Sequence, residues 1–264
     1  MGSSDRLRWL RRLAVPAALI VLWQVLAGPF RWGGGFVPTP VEVVQTTAIW
    51  MFGLGSSDRF AGTWLAAVWA SAQRVFGGFV GASIVGIVLG MAIGRSRTVA
   101  DYLDPLIQVL RPVPVSAWVP FSLVFFGIGA ASAVFLVALG AFFPVVMNTI
   151  SGARHVSALH LRSAQMLGAD RWFSATRVIL PSSLPSILVG LRLAMGLSWV
   201  LLIVAEMVAV KSGLGYELWN AYYYSRMDVI VAAMATIGVL GFLSDIALVA
   251  LSSRLLVWHE ATDR

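Results

Sequence analysis

Acidic side chains are the first candidates for chemistry in this chain, and they are sparse inside its apolar segments. Only Glu206 and Asp245 lie well inside such segments, and each is alone in its own. Acid–base catalysis by paired carboxylates needs two acids close together. No G-x-S-x-G or H-E-x-x-H motif occurs, and Lys211, which precedes Ser212, lacks the glycines of a phosphate-binding loop. The sequence therefore predicts no catalytic residue.

Metal and thiol chemistry are excluded by the composition. The chain has no cysteine, so it has no disulfide, no thiolate metal ligand and no cysteine nucleophile. Its three histidines, His155, His160 and His259, all lie outside the apolar segments. We therefore predict no metal ligands and no cofactor bound by this chain.

The elements that carry the remaining candidate residues are membrane spans. Hydrophobic residues make up 59% of the chain, charged residues 12%, and the mean hydropathy is +0.84. A soluble chain carries about twice that charged fraction. The net charge of +7 comes from basic residues scattered at the ends of apolar segments, which argues against nucleic-acid binding. The first apolar segment, Leu13–Leu26, is interpreted as a span because no signal-peptide cleavage site follows it.

Six apolar segments approach the length of about 20 residues that a bilayer requires, so we predict an all-α membrane protein with six transmembrane helices. Residues 1–12 form the N-terminal tail, and residues 13–264 form a single transmembrane domain. Three prolines, at positions 112, 114 and 120, must kink or break the third span. The predicted spans are Leu13–Pro29, Ser71–Gly94, Leu103–Phe126, Ala130–Ile150, Ile187–Val210 and Val229–Leu255.

Arginine placement predicts the orientation. Most arginines lie on the side of the two termini and of the segment 151–186, and few lie on the opposite side. By the positive-inside rule, the arginine-rich side faces the cytosol. We therefore expect both termini and the segment 151–186 to be cytoplasmic.

The segment 151–186 is too long and too patterned to be a simple connection between spans. On a single assumed helix, Leu161, Ala164, Gly168 and Trp172 would share a face. A glycine costs about 1 kcal/mol relative to alanine inside a helix, so two short helices bent at Gly168 are expected. We interpret the segment as a docking surface for a soluble protein.

The third predicted span contains the sequence Arg111-Pro112-Val113-Pro114. Two prolines in four residues free backbone carbonyls, which membranes tolerate only beside protein or a water-filled cavity. The sequence leaves two readings open, a simple kink and a break that lines a pore. The candidates for a translocation pathway are Arg111, Pro112, Pro114, Trp118 and Glu206.

The charged residues inside the spans have structural and functional explanations, because a charge in lipid is costly and usually functional. Glu206 is expected either to be hydrated or paired with an arginine near the outer end of its span, or to take part in translocation. Asp245 is expected to bond neighbouring helices. Arg192 is expected to extend to the cytosolic interface, with attraction of an anion as the alternative.

Glycines in the second predicted span recur at small-xxx-small spacing, as at Gly77–Gly81 and Gly86–Gly90–Gly94. Such spacing lets helices approach closely. Tight packing within the bundle is the expectation, and a seam between two copies is the alternative.

The segment 162–181 resembles the EAA loop of ATP-binding-cassette importer permeases. That signature reads E-A-A, three residues, Gly, nine residues and I-x-L-P, and here Arg162, Ser163 and Val178 replace its Glu, first Ala and Ile. The resemblance implies contact between this loop and an ATPase. The implied coupling residues are Arg162, Ser163, Ala164, Leu167, Gly168, Ala169, Asp170, Leu180 and Pro181.

A longer resemblance, from about Gly77 to His259, is to permeases for nitrate, alkanesulfonates and taurine. In that subfamily the EAA motif commonly opens with Arg, as it does at Arg162. The motifs that carry this resemblance are Arg111–Pro114, Leu180-Pro181, Gly190-Leu191-Arg192, Val204-Ala205-Glu206, Gly213-Leu214-Gly215 and Trp258-His259.

These resemblances imply a type I importer permease of a bacterial cytoplasmic membrane that works as a dimer with a second copy. Two ATPase subunits would bind ATP and Mg²⁺, and their closure would rock the spans through the coupling loop. An extracytoplasmic solute-binding protein would dock on the outer loops, residues 30–62 and 211–228. The implied solute is a small oxyanion such as a sulfonate, taurine or nitrate. The alternative is an ion-coupled secondary carrier that uses Glu206 or Asp245.

Overall fold

The computed structural model describes residues 3–30, 36–53 and 57–255, and its regular elements are helices. Two compact units are distinguished, Met1–Val68 with Glu217–Thr236 and Trp69–Tyr216 with Ile237–Arg264. In chain order the helices are α1 (Ser3–Ala27), α2 (Pro40–Phe52), α3 (Trp64–Arg95), α4 (Arg97–Leu110), α5 (Val119–Phe126), α6 (Ala130–Arg154), α7 (Ala158–Met166), α8 (Arg171–Phe173), α9 (Leu180–Ala209), α10 (Leu214–Tyr223) and α11 (Met227–Leu255).

Four helical segments of the described chain are long and apolar enough to cross a membrane. They confirm the second, fourth, fifth and sixth predicted spans, which a mean hydropathy of 2.1 to 2.3 supports. Three of the four begin earlier than predicted, because the helices extend beyond the apolar windows from which the spans were read. The four segments are Trp64–Arg95, Ala130–Arg154, Ser174–Ala209 and Met227–Arg254.

The third predicted span is broken. Helix α4 ends at Leu110, and the helical stretch Val115–Phe126 follows at an angle of 93° to α4. The expectation that its prolines kink or break the segment Leu103–Phe126 is therefore confirmed. Pro114 stands directly before the 3-10 turn Val115–Trp118, where its fixed φ is compatible with the new direction of the chain.

The first predicted span forms the C-terminal part of α1. Its apolar stretch, Ala14–Ala27, is shorter than the four complete spans. Side chains such as Leu19, Val21 and Leu22 are exposed, and a lipid environment suits such surface better than water does. The helix ends at Ala27, two residues before the predicted end.

Helix α3 packs against α6 through a row of small residues. A methyl group at Gly90 would lie 2.6 Å from the Thr149 side chain, and one at Gly78 would lie 2.8 Å from the carbonyl oxygen of Val134. The two helices are therefore in contact at these points, which confirms close packing within the bundle. Gly77 and Gly81 lie on a different face, and no atom lies within 4 Å of a methyl group placed at Gly81.

Helix α6 also packs along α9, and this pair forms the core of the second unit. Val137, Val145 and Leu202 are fully buried there. A methyl group at Gly190 would lie 2.7 Å from the Asn148 side chain. The approach of α9 to α6 at this level therefore depends on glycine.

Side-chain bonds within the first unit connect α2, the segment around Asp58 and the start of α11. Arg226 bonds Asp58 (2.6 Å) and Asp228 (2.8 Å), and Thr46 donates to Asp228 (2.8 Å). Burial acts to raise the pKa of Asp58, but the Phe60 N–H and Arg226 outweigh it and hold that pKa below its usual range.

Candidate coupling loop and translocation site

Helix α7 meets a second helical segment at a turn centred on Gly168, as predicted. That second segment is not the predicted short helix, because it continues from Arg171 without a break into α9. Helix α7 begins after Ser157, whose hydroxyl accepts a hydrogen bond from the Leu159 N–H (3.3 Å), and it ends at Met166. Gly168 has a φ of +84°, a left-handed conformation that closes a helix C-terminus. The Ala169 N–H then donates to the Ala164 carbonyl (3.0 Å). The single helix assumed for the shared face is thus interrupted, although Leu161 is half-buried within α7 as that face predicts.

Asp170 begins the second helical segment. Its carboxylate oxygen Oδ1 accepts a hydrogen bond from the Phe173 N–H (2.6 Å), and its carbonyl accepts one from the Ser174 N–H (3.0 Å). A carboxylate at this position satisfies a free helix N–H and favours the positive end of the helix dipole. Asp170 therefore fixes the direction in which the chain leaves the turn.

A wide helical turn joins this second helix to the fifth span. Residues Ser174–Ile179 form a π-helix that continues directly into α9. Pro181 lies in the first turn of α9, and because it lacks an N–H it cannot donate to the carbonyl four residues earlier. Leu180 and Pro181 thus lie where the loop continues without a break into the span.

The turn presents apolar side chains to solvent. Leu167 is 88% exposed and Met166 is 86% exposed, and Trp172 is also exposed. An exposed apolar group of this kind is typical of a binding surface. It borders a cavity of about 490 Å³ lined by Ala164, Leu167, Gly168, Ala169, Asp170 and Phe173. Arg162 and Ser163 lie on the exposed side of α7.

Glu206 lies in a buried ion pair. Its side chain is fully buried, and Arg74 Nη1 lies 2.5 Å from its carboxylate. The Ser71 hydroxyl lies within 2.9 Å of both carboxylate oxygens, and the Gly215 N–H donates to one of them (2.9 Å). Arg74 also donates to the Ser212 carbonyl (2.7 Å) and hydroxyl (2.6 Å). The interpretation of Glu206 as an arginine-paired carboxylate is confirmed.

The partners of Glu206 were not among the predicted site residues. Ser71 and Arg74 lie three positions apart in α3, so a helix presents both on the same side. A lone arginine and a lone glutamate in two different spans were the available signal, since buried charges pair with each other.

Asp245 bonds α11 to α9 through Arg192. The guanidinium donates two hydrogen bonds to the carboxylate, Nε to Oδ1 (2.9 Å) and Nη2 to Oδ2 (2.8 Å). The expectation that Asp245 bonds neighbouring helices is confirmed. The planar guanidinium of Arg192 can form these two parallel bonds with one carboxylate, and the predicted extension of Arg192 to the cytosolic interface stays a prediction.

The proline break borders a second cavity. Arg111 follows the last residue of α4, and its N–H donates to the Ile107 carbonyl (2.9 Å). Its side chain lines a cavity of about 470 Å³ together with residues of α6 and α9. The other lining residues are Val115, Gly140, Phe143, Pro144, Met147, Asn148, Leu193 and Leu197.

The structure does not gather all five pathway candidates at this cavity. Pro112 and Pro114 flank the turn and are exposed. Trp118 is half-buried and packs against a core cluster that includes Leu136 and Ala205. Glu206 is absent from the cavity lining and lies in the ion pair with Arg74. Arg111 is thus the candidate that the geometry places in a cavity.

The segments predicted as outer loops are partly helical. Residues 30–62 contain α2, which a reciprocal cap between Thr39 and Glu42 initiates, and residues 211–228 contain α10. Trp219 stacks on Tyr222 with 5.4 Å between ring centroids. Burial raises the pKa of Glu217, which neighbours this cluster in the chain.

Comparison with protein families gives a match over most of the chain. Residues 82–257 match a family described as binding-protein-dependent transport system inner membrane component. The taurine transport system permease protein of Escherichia coli is 37% identical over 247 residues, which cover 92% of this chain and 87% of that protein. The nitrate import permease protein of Synechocystis is 35% identical over 233 residues, which cover 87% of this chain and 82% of that protein.

Among solved structures, the fold is similar to a chain of the MetNI methionine ABC transporter in inward-facing conformations. The TM-score is 0.65 at 16% sequence identity, and the alignment covers 76% of this chain and 99% of the other. The similarity establishes the type I importer permease fold.

Proposed function

Because this chain belongs to the family of binding-protein-dependent transport system inner membrane components, we propose that it forms the membrane pathway of an ATP-driven importer for a small oxyanion. It is a multi-pass inner-membrane permease and a pore-forming subunit without enzymatic activity of its own. The single observation that carries the coupling assignment is the exposed apolar turn around Gly168, connected through a continuous helix to the fifth span.

The energy source is a separate ATPase subunit, two copies of which hold ATP and Mg²⁺. The exposed side chains of Leu167 and Met166 and the adjoining cavity fit a docking site for a soluble protein. When the ATPases close on each other, the seated helices α7 and α8 move. The continuous helix from Arg171 to Ala209 carries that movement into the bundle.

Each residue of the coupling loop has a specific role in this assignment. Gly168 and Ala169 form the turn, Leu167 supplies apolar contact and Asp170 fixes the second helix. Leu180 and Pro181 connect the loop to α9. The remaining contacts come from the exposed or half-exposed side of α7, from Arg162, Ser163 and Ala164.

The orientation places residues 151–186 and both termini in the cytosol, within one transmembrane domain spanning residues 13–264. The arginine distribution supports it. The outer segments around α2 and α10 then face the solute-binding protein. A second copy of the chain completes the pathway.

The solute is a small oxyanion. The support is that relatives covering most of this chain are named for taurine and nitrate transport. Taurine carries a sulfonate, and nitrate is a planar oxyanion, so the shared chemistry is a compact anionic group with equivalent oxygens. The binding protein contributes most of the selectivity.

The two intramembrane acids do not support the ion-coupled carrier. A carrier needs a carboxylate that gains and loses a proton or sodium ion during each cycle. Glu206 is paired with Arg74, and Asp245 is paired with Arg192. Both acids therefore have structural roles.

Purification of the chain in mild detergent from its native membrane, followed by mass spectrometry, tests the proposal. We expect a stoichiometric ATPase subunit with a phosphate-binding loop to remain bound. A variant with Leu167→Asp should lose that subunit while the bundle stays folded, because a charge would replace the exposed apolar contact. Recovery of the chain without any ATPase, also after cross-linking through residues 158–173, would contradict the coupling assignment.

A further inference from the structure

Three arginines at or near the spans differ in their partners. Arg74 is paired with Glu206, and Arg192 is paired with Asp245. Within the described part of the chain, no carboxylate lies within salt-bridge distance of Arg111 and no side-chain hydrogen bond involves its guanidinium. Its net positive charge is therefore available, whereas the charges of the other two are compensated.

Arg111 combines an uncompensated charge with access to solvent. Its side chain is exposed, so a dissolved solute can reach the guanidinium. The third predicted span is broken next to Arg111, and the Arg111 side chain lines the cavity of about 470 Å³. The same break that frees the backbone thus places a cation where a passing solute can reach it.

Another residue that lines the cavity supplies a second hydrogen-bond donor. Asn148 Nδ2 donates to the Pro144 carbonyl (2.8 Å), and an amide nitrogen carries two N–H groups. One N–H of Asn148 therefore remains available to a ligand. Most of the other lining side chains, such as Phe143 and Leu197, are apolar, so a charge–charge interaction in the cavity is less screened than in bulk water.

We propose that Arg111 and Asn148 form a transit site for a small oxyanion in this cavity. The planar guanidinium can donate two parallel hydrogen bonds to two oxygens of a sulfonate or nitrate, and Asn148 can donate a further one. The oxyanion class rests on the proposed function, whereas the preference for an anion follows from the charge of Arg111.

The absence of cysteine makes a direct test possible, since one introduced cysteine is the only thiol. Val115→Cys places that thiol on the cavity wall. The purified chain is treated with two methanethiosulfonate reagents, one bearing a sulfonate and one bearing a trimethylammonium group. The measured quantity is the ratio of their modification rates.

We expect this ratio to favour the sulfonate reagent and to fall about tenfold when Arg111→Gln is added, because one unit charge nearby acts oppositely on the two reagents. Arg111→Lys should keep most of the preference, which distinguishes charge from structure. The matched control is Met166→Cys in the exposed turn, where Arg111→Gln should leave the ratio unchanged. An unchanged ratio at position 115 would overturn the proposal.

Protection of the introduced cysteine from modification by dissolved salts identifies the class of ligand that the cavity binds. Two salts, sodium methanesulfonate and sodium nitrate, should slow modification of the cysteine at position 115 in the chain that retains Arg111. Choline chloride at equal ionic strength should not. Equal slowing by all the salts would indicate screening alone and would contradict a site for oxyanions.

This labelling needs no ATPase, so its outcome is independent of the coupling assignment. If the charge preference were absent but the ATPase still bound, the transit-site proposal would be refuted and the proposed importer function would not be affected. In the reconstituted complex, Arg111→Gln should lower uptake of an anionic solute at least tenfold and leave ATP hydrolysis active. Wild-type uptake by that variant would overturn the site even if labelling were charge-dependent.

Discussion

Gly168 is the residue on which the coupling assignment depends most directly. Its φ of +84° is strained for any residue with a side chain, at a cost of about 1 kcal/mol or more. No atom lies within 4 Å of a methyl group placed there, so a substitution acts through the backbone and through the docking surface. We expect Gly168→Leu to keep the spans folded and to uncouple ATP hydrolysis from transport.

The measurement is transport per ATP hydrolysed in reconstituted vesicles. Gly168→Ala is the matched variant, because it imposes the same backbone strain with the smallest side chain. An intermediate loss with alanine and a complete loss with leucine would separate the two contributions. Wild-type coupling in Gly168→Leu would refute the role of this turn.

Substitution of Glu206 distinguishes two roles for this carboxylate, a structural ion pair with Arg74 and an acid that takes part in transport. Glu206→Gln leaves the Arg74 charge buried without its counter-charge, which costs about 3–5 kcal/mol when one partner of a buried pair is removed. We expect a lower midpoint of thermal unfolding in detergent and reduced assembly. The double variant Arg74→Gln with Glu206→Gln should recover much of the loss, because no net charge remains buried.

A stable Glu206→Gln variant that has lost transport would instead indicate a role in the translocation cycle. That outcome would return Glu206 to the pathway candidates. Recovery in the double variant, measured against Arg74→Gln alone, decides between the two readings.

At the residue scale, sequence reasoning identified the charged side chains but not all of their partners. Asp245 was expected to bond another helix, and it does so through Arg192. The partner could not be named, because hydropathy indicates which segments are helices and gives no information on which faces meet. The same limit hid the pairing of Arg74 with Glu206, whose positions are far apart in the chain.

Among the elements, α3 offers a matched test of helix packing. A methyl group at Gly90 would lie 2.6 Å from the Thr149 side chain, whereas one at Gly81 has no atom within 4 Å. Gly90→Ala should therefore destabilise the protein by about 1–3 kcal/mol through overpacking. Gly81→Ala should be neutral or stabilising, because alanine favours a helix interior over glycine.

Thermal unfolding of the two variants in the same detergent measures the difference. Equal unfolding temperatures would contradict the close approach of α3 and α6 at Gly90. A substitution at Gly81 also tests the alternative that this face of α3 contacts a second copy of the chain. Weaker dimerisation of Gly81→Leu with an unchanged fold would show that its face contacts a second copy.

Helix ends could be predicted from the sequence where residues with strong backbone preferences, such as proline and glycine, mark them. The prolines after Arg111 predicted the break, and Gly168 predicted the turn between α7 and α8. Helix α2 was missed, although Thr39 and Glu42 have the spacing of a reciprocal helix cap. The reason is that its 13 residues were assigned to an outer loop by topology alone.

At the scale of the whole molecule, hydropathy and proline content together determined the class of fold. Uninterrupted apolar segments of about 20 residues have the length of membrane-spanning helices, whereas spanning strands are about half as long. The packing of α6 on α9 and the cavity beside Arg111 could not be predicted, because they depend on contacts between distant segments.

The orientation of the molecule is the premise of the coupling assignment, and labelling of introduced cysteines tests it. Met166→Cys in the turn and Tyr223→Cys in α10 are both exposed positions in a chain without cysteine. If arginines mark the cytosolic side, a membrane-impermeant maleimide should label position 223 in intact spheroplasts. It should label position 166 only in inverted vesicles. The reverse pattern would place the turn around Gly168 outside the cell, where no ATPase has access to it, and would refute the energy source along with the orientation.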